Sequence, residues 1–457
     1  MTVEELHRAW AELDELEKQE RYLVERLSEI RKAIKAQRLK IDDLGPPTIN
    51  RLPTELLSQI FALCIPDPKF PEKPLHRIVG VSRRWRDVVW NNPCFWTSIK
   101  VRPFQGKNVL EKQLKRSRKA LLDIWIEDWD HYELYEECFG FHALLNAIVL
   151  HVNRWRSLTI SDGMAPEFVE SIFTKLNHLR IPFLSSFSFD ACDDFDGPYP
   201  HYPNFLSPTR TPTLQHLTLR PSLQLDTFMA LPTLKTLYLA FAQTDDLPSV
   251  TSKLTPAQSL TSLVLDGDNT GWSLKRNDLH FPLLEELTLY LDSPMSFLEA
   301  IVAPKLRYVR CWIRDPVEFN TIEGKFRDVY DLSLTFCYSA NDQDAESLCR
   351  AFPGVRRVCL SAGDTSFLVA GVHGSGVLER RPPIDQWLNL ETVTFNGFYR
   401  RWLEHRELDD PIVKWLRGRQ ESDLSRLRVR LHQIKADEGL PVYYALLGRH
   451  CDLEIFT

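Results

Sequence analysis

Leu231-Pro232-Thr233-Leu234-Lys235-Thr236-Leu237-Tyr238-Leu239 holds the phrase on which most of this chain is built. Leu234, Leu237 and Leu239 stand at i, i+3 and i+5, and the last two alternate with polar or amphipathic neighbours. Period-two alternation marks a strand with one buried face. Pro232 stops a preceding helix or turn from running into the strand. A strand this short closes no core of its own, so it must stack on others like it.

The others are present. Apolar-x-x-apolar-x-apolar returns with copies starting at Trp155, Leu184, Leu214, Leu234, Leu260, Leu284, Leu306, Val329, Val355, Leu390 and Leu424. The last of these reads Leu424/Leu427/Val429. Leu122/Ile124/Ile126 and Leu453/Ile455 share the alternation. From Leu214 on, the copies start 20 to 35 residues apart, and most of those steps fall in the range of leucine-rich repeats. Some returns are proline-led turns, as in Phe281-Pro282-Leu283-Leu284 and Ala303-Pro304-Lys305-Leu306. Others read as helices, from Pro166 to Phe173 and from Asp342 to Phe352. The expected fold over residues 100–457 is therefore α/β, an irregular leucine-rich-repeat-like solenoid with parallel strands. The asparagine that such repeats place after the strand does not recur copy after copy. A large α+β domain with coincidental leucine spacing is the competing reading.

Residues 1–44 carry a seven-residue beat. With Leu6 as position a, the a positions are Leu6, Leu13, Glu20, Leu27, Ile34 and Ile41, and the d positions are Ala9, Leu16, Leu23, Ile30, Gln37 and Leu44. Only Glu20 and Gln37 break the apolar seam, so a coiled-coil helix is expected, ending at Gly45-Pro46-Pro47. Such a helix serves a homodimer or pairs with another helix; folding back on the body of the protein is the other arrangement this pattern allows. Nine Lys/Arg against eleven Asp/Glu make it a solvated helix and not a nucleic-acid arm.

Between these parts lies Thr48 to Ile99. Leu52, Leu56, Leu57, Ile60 and Phe61 recur at helical spacing. Pro53 suits the first helical turn, where a missing N–H costs nothing. A second helical run holds Val79, Val81, Trp85, Val88 and Val89, and Pro66, Pro68, Pro71 and Pro74 separate the two. This helical hairpin carries more large apolar groups than it can bury alone. The string Leu52-Pro53-x-Glu55-Leu56-Leu57-x-x-Ile60-Phe61, then Val81-Ser82-Arg83-Arg84-Trp85-Arg86, then Asn92-Pro93-x-x-Trp96, resembles an F-box. It departs from that family at Cys64, where a leucine is usual, and in the long Pro66–Pro74 gap. The resemblance implies a small helical module over 48–99 that docks on a Skp1-type adaptor and, through it, a cullin. The adaptor face or its support would be Leu52, Pro53, Leu56, Leu57, Ile60, Phe61, Val81 and Trp85. The order of coil, F-box and repeats, and the phrase Asn153-Arg154-Trp155-Arg156-Ser157-Leu158, resemble the F-box proteins of mushroom-forming fungi.

The totals exclude several classes. A net charge of −6 disfavours a nucleic-acid protein. The nine cysteines are scattered without a Cys-x-x-Cys pair, so no zinc site or disulfide frame is written here, and a cytoplasmic or nuclear setting fits. No run reaches membrane-spanning length and the N-terminus has no signal-peptide core. The sequence has no Walker loop, dinucleotide glycine motif, Gly-x-Ser-x-Gly elbow or His-Glu-x-x-His. Asp266-Gly267-Asp268-Asn269-Thr270-Gly271 begins like a calcium loop but has Asn277 where a bidentate glutamate is needed. It reads better as a turn, and the acidic run Asp190, Asp193, Asp194 and Asp196 reads as a solvated loop. The glycines Gly371, Gly374 and Gly376 read as a surface loop. The basic stretch Lys112, Lys115, Arg116, Arg118 and Lys119 reads as the wet face of a helix. No catalytic, cofactor or metal residues are expected. The reading is a substrate-receptor subunit of an SCF-type ubiquitin ligase that binds an unidentified target protein, with a coiled-coil scaffold outside any ligase as the alternative.

Overall fold

The computed structural model describes residues 3–44, 49, 52–65, 72–129, 135–161, 164–190, 203–220, 231–241, 254, 257–269, 271–314, 318–336, 342–361, 366–369, 381–396, 411–422, 424–432 and 440–456. Pro66, Pro68, Pro71, Asp193, Asp194, Asp196, Trp402 and the glycines 371, 374 and 376 lie outside them. The chain divides into two units, Met1–Phe95 and Trp96–Thr457.

The first unit is helical. Helix α1 (Val3–Leu44) is followed by α2 (Thr54–Leu63), α3 (Glu72–Val81) and α4 (Arg83–Asn91). The second helical run expected from the sequence is thus two helices. Ser82 divides them: its backbone is extended, and its hydroxyl accepts the Trp85 N–H at 3.1 Å as an N-cap. Pro74 falls in the first turn of α3, where proline is tolerated, and so does not separate helices. Pro53 precedes the first turn of α2 instead of occupying it, and its carbonyl accepts the Leu57 N–H at 3.0 Å.

The second unit is organised by one sheet. Among the described residues, fourteen parallel strands follow one another in chain order, the short pair of Leu279–His280 and Ile301–Val302 standing apart. The strands are β1 (Ser98–Val101), β2 (Leu122–Ile126), β3 (Trp155–Ile160), β4 (Ser186–Asp190), β5 (His216–Arg220), β6 (Thr236–Phe241) and β7 (Ser262–Gly267). With β8 (Leu279–His280) and β10 (Ile301–Val302) as the small pair, the sheet continues through β9 (Glu286–Leu291), β11 (Tyr308–Ile313), β12 (Asp331–Phe336), β13 (Arg357–Ser361), β14 (Thr392–Asn396), β15 (Arg428–His432) and β16 (Asp452–Phe456).

Register follows the phrase. Leu217, Leu237, Leu263, Leu287, Val309 and Leu332 pair in one row, and Leu219, Leu239, Leu265, Leu289, Cys311 and Leu334 in another. Both rows are buried. The copy placed at Leu424/Leu427/Val429 is shifted by two residues: Val393 pairs with Val429 and Phe395 with Leu431. Residues 427, 429 and 431 are all apolar, so alternation alone does not choose between registers two apart. β1 adds a strand that was not counted among the copies, although Trp96, Ile99 and Val101 stand at the same i, i+3 and i+5 spacing.

A polar stitch joins successive copies. In the turns before β5, β6 and β7 the amides of Leu214, Leu234 and Leu260 bond the carbonyls three residues back. The hydroxyls of Thr213, Thr233 and Ser259 donate to Leu184 O, Leu214 O and Leu234 O at 3.1, 2.7 and 2.7 Å. These hydroxyls tie each turn to the one before it, without a recurrent asparagine. One asparagine does such work: Asn269 is buried, donates to Ser293 O and accepts from Ser293 N, each at 2.7 Å. Asp266 and Gly267 of that segment belong to β7, and Thr270 lies outside the described residues.

Candidate functional site

The helical module places two apolar stripes on α2. Leu57 and Phe61 are buried, together with Leu75 and Ile78 of α3 and Val88 and Val89 of α4. The Phe61 ring sits 4.7 Å from that of Trp85. Arg84 ties the entry of α2 to α4, donating from Nη2 to Leu52 O at 2.5 Å. These contacts hold α2 in one orientation.

The other stripe is open. Pro53 and Leu56 are exposed and Ile60 is half-buried. Leu63 continues the stripe at 85% exposure. These four stand at i, i+3, i+7 and i+10, one face of a helix. Burying such a leucine gains about 1.5–3 kcal/mol, so an uncovered row of this kind favours docking another surface. Leu52 and Trp85 are half-buried and Val81 is exposed. The eight residues named from the sequence therefore divide: Leu57 and Phe61 build the module from inside, and Pro53, Leu56 and Val81 face out. Leu63 was not among the named residues, although its spacing from Leu56 and Ile60 was the available signal.

In the second unit the polar sides of the central strands form an aromatic and charged surface. Tyr238 Oη donates to Asp266 Oδ2 at 2.7 Å, and the Arg220 guanidinium lies 4.6 Å over the Tyr238 ring. Burial first, and then this hydrogen bond to a carboxylate, push the Tyr238 phenol far above its ordinary value. Tyr290 and Trp312 meet edge to face at 5.8 Å. Arg314 covers the Trp312 ring and pairs with Asp292. Burial raises the Asp331 carboxyl, opposed by Arg357 at 3.1 Å and by Arg310. Among the described tryptophans of this unit, Trp312 is exposed, Trp96 and Trp125 are half-buried, and Trp129, Trp155, Trp272, Trp387 and Trp415 are core.

The basic stretch lies on a helix (Lys107–Arg116) and the turn after it. Lys112, Lys115, Arg118 and Lys119 are exposed, and Arg116 stacks on Trp96 at 4.4 Å. No described helix is long and apolar enough to cross a membrane.

Residues 49–102 match the family described as F-box-like, and no curated protein matches the chain. The match covers α2, α3 and α4, which carry the two stripes, and reaches through β1. F-box proteins are generally adaptors or receptors and not enzymes, and their F-box generally binds Skp1; an F-box-like domain is what this chain carries at residues 49–102.

Proposed function

We propose that this protein is a substrate-receptor subunit of an SCF-type ubiquitin ligase. The F-box-like domain holds a Skp1-type adaptor and through it a cullin. The strand array, read as a degenerate leucine-rich-repeat solenoid, holds a target protein. Catalysis belongs to the ligase, and the receptor acts by proximity. The carrying observation is the open stripe of Pro53, Leu56, Ile60 and Leu63 inside the F-box-like match. Leu57, Phe61 and Trp85 support that stripe from within, and Val81 and Leu52 extend the apolar surface of the module.

The target-binding surface in this reading is the polar side of the central strands. Tyr, Trp and Arg are the residue types that dominate protein interfaces; Tyr290 on β9 and Arg310 and Trp312 on β11 present them on adjacent strands, and Tyr238 on β6 adds to them across β7. The cytoplasm or nucleus, where such ligases work, is the proposed location. The order of long helix, F-box-like domain and strand array resembles that of the F-box proteins of mushroom-forming fungi.

Capture by an immobilised Skp1-type adaptor tests the proposal. Wild type should bind, and Leu56→Asp with Leu63→Asp should not. Failure of the wild type, or unchanged binding by the double variant, removes the ligase reading. The second reading is a scaffold that keeps the F-box fold and joins no ligase; the long exposed helix α1 favours it. It is separated from the first by the same capture experiment.

A further inference from the structure

Among the described residues, the longest helix, α1, is also the least covered. Every side chain from Glu4 to Ile41 is exposed. Leu13, Leu27, Ile30 and Ile34 are 44–48% exposed, and Leu16 and Leu23 exceed 60%. Helices owe most of their stability to burying an apolar face, so a helix about 60 Å long with an uncovered heptad seam calls for a partner.

Charge decides which partner. Residues 3–24 hold seven acids and three bases; residues 25–41 hold two acids and six bases. The helix is acidic in its first half and basic in its second. A parallel, in-register pair would set like on like at the flanks of the seam, where the g position of one helix meets the e position of the other. Glu12 would face Glu17 of the second copy and Arg26 would face its Arg31, with Glu20 stacked on Glu20 in the seam itself.

Reversing one helix removes these clashes. Leu23 then lies on Leu27 of the second copy, Glu20 on Ile30, Leu16 on Ile34, Leu13 on Gln37 and Ala9 on Ile41. The flanks become Glu12 against Lys40 and Glu17 against Arg31, each occurring twice by symmetry. Trp10 falls beside Arg38, a cation–π pair, and Val24 meets Val24 on the two-fold axis. The one like-charge meeting is Arg26 with Arg26, and Arg26 is already held by Glu29 in its own helix at 2.9 Å.

We propose that α1 pairs with α1 of a second copy of this chain as an antiparallel two-helix coiled coil. The pairing goes beyond the ligase reading and holds whether or not an adaptor binds.

Sedimentation equilibrium of the full chain at low ionic strength tests it. Wild type should be a dimer. Glu17→Arg should raise the dimer Kd by about tenfold, because two exposed pairs change from attraction to repulsion. Combining it with Arg31→Glu should restore the wild-type Kd. Glu15→Arg, the same charge change on the outer face, should leave the Kd unchanged. A parallel dimer gives the opposite sign, since Glu17→Arg would then set a cation against Glu12 of the second copy and tighten the pair. A monomeric wild type at tens of micromolar, a Glu17→Arg variant that dimerises as well as or better than wild type, or a double variant that does not recover overturns the proposal.

Discussion

The Phe61 ring on α2 lies 4.7 Å from the Trp85 ring on α4, the planes tilted by 50°. Phe61 is buried and Trp85 half-buried, so this pair is where α2 is keyed to α4. Turning α2 about its axis would expose Leu57 and Phe61 and bury Leu56 and Leu63. The aromatic contact therefore decides which stripe is presented.

Two substitutions on the same helix should consequently fail in different ways. Phe61→Ala should cost about 3–5 kcal/mol of module stability, seen as an earlier first transition in denaturant unfolding of the full chain. Leu56→Asp should shift that transition by no more than about 0.5 kcal/mol while abolishing adaptor capture. Equal destabilisation by both would show that Leu56 is core.

Asp385 and Arg419 form a buried ion pair between the turn Pro383–Gln386 and the helix Pro411–Glu421, at 7% and 5% exposure. Trp415 Nε1 donates to the same Asp385 Oδ1 at 3.0 Å. Asp385→Ala leaves a guanidinium uncompensated in the interior and should cost about 3–5 kcal/mol. Asp385→Leu with Arg419→Met should lose much less, and a double-mutant cycle on denaturation midpoints measures the difference. Additive losses would refute the pairing.

Gly354 packs on backbone. A Cβ there would collide with the Arg327 carbonyl oxygen and sit 3.1 Å from that of Val329. Backbone cannot rotate aside as a side chain does. Gly354→Ala should therefore destabilise the strand array by about 1–3 kcal/mol, read as a lower Tm. An unchanged Tm would mean that β12 and β13 shift freely.

Burial pushes the Cys311 thiol up to about 12 and the Cys451 thiol up to about 11. An unfolded thiol ionises near 9.0. Between these values the folded chain holds protons that the unfolded chain has released, so stability falls as pH rises through that window. Tm should decline from about pH 9 upward, less so in Cys311→Ala once its own cavity cost is subtracted. Thiol labelling of the folded chain at pH 8 should reach the exposed Cys64 and Cys94, and Cys311, Cys349 and Cys451 only after unfolding. Rapid labelling of Cys311 in the native state would contradict its place in the buried row.

The strands were legible because alternation is local. A residue at Leu237 or Leu263 states its own face by its neighbours two positions away. The shift at β15 and the split at Ser82 were not legible for a related reason. Where Leu427, Val429 and Leu431 are all apolar, or Val79 through Val89 keep a helical spacing across a cap, the local pattern fits more than one arrangement. Cross-strand pairing and the Ser82 hydroxyl resolve them.

The apolar residues of α2 show the same division. Sequence alone determined that residues 231–239 and their copies form strands with one buried face, that residues 3–44 form a helix with an apolar seam, and that α2 is apolar. Which of its two stripes points outward only the tertiary structure decided. Leucine and phenylalanine have the same reason to leave water wherever they stand on the helix. The choice between Leu57/Phe61 and Leu56/Leu63 is made by what lies opposite, the Trp85 ring and the α3–α4 pair, and a single helix carries no record of that.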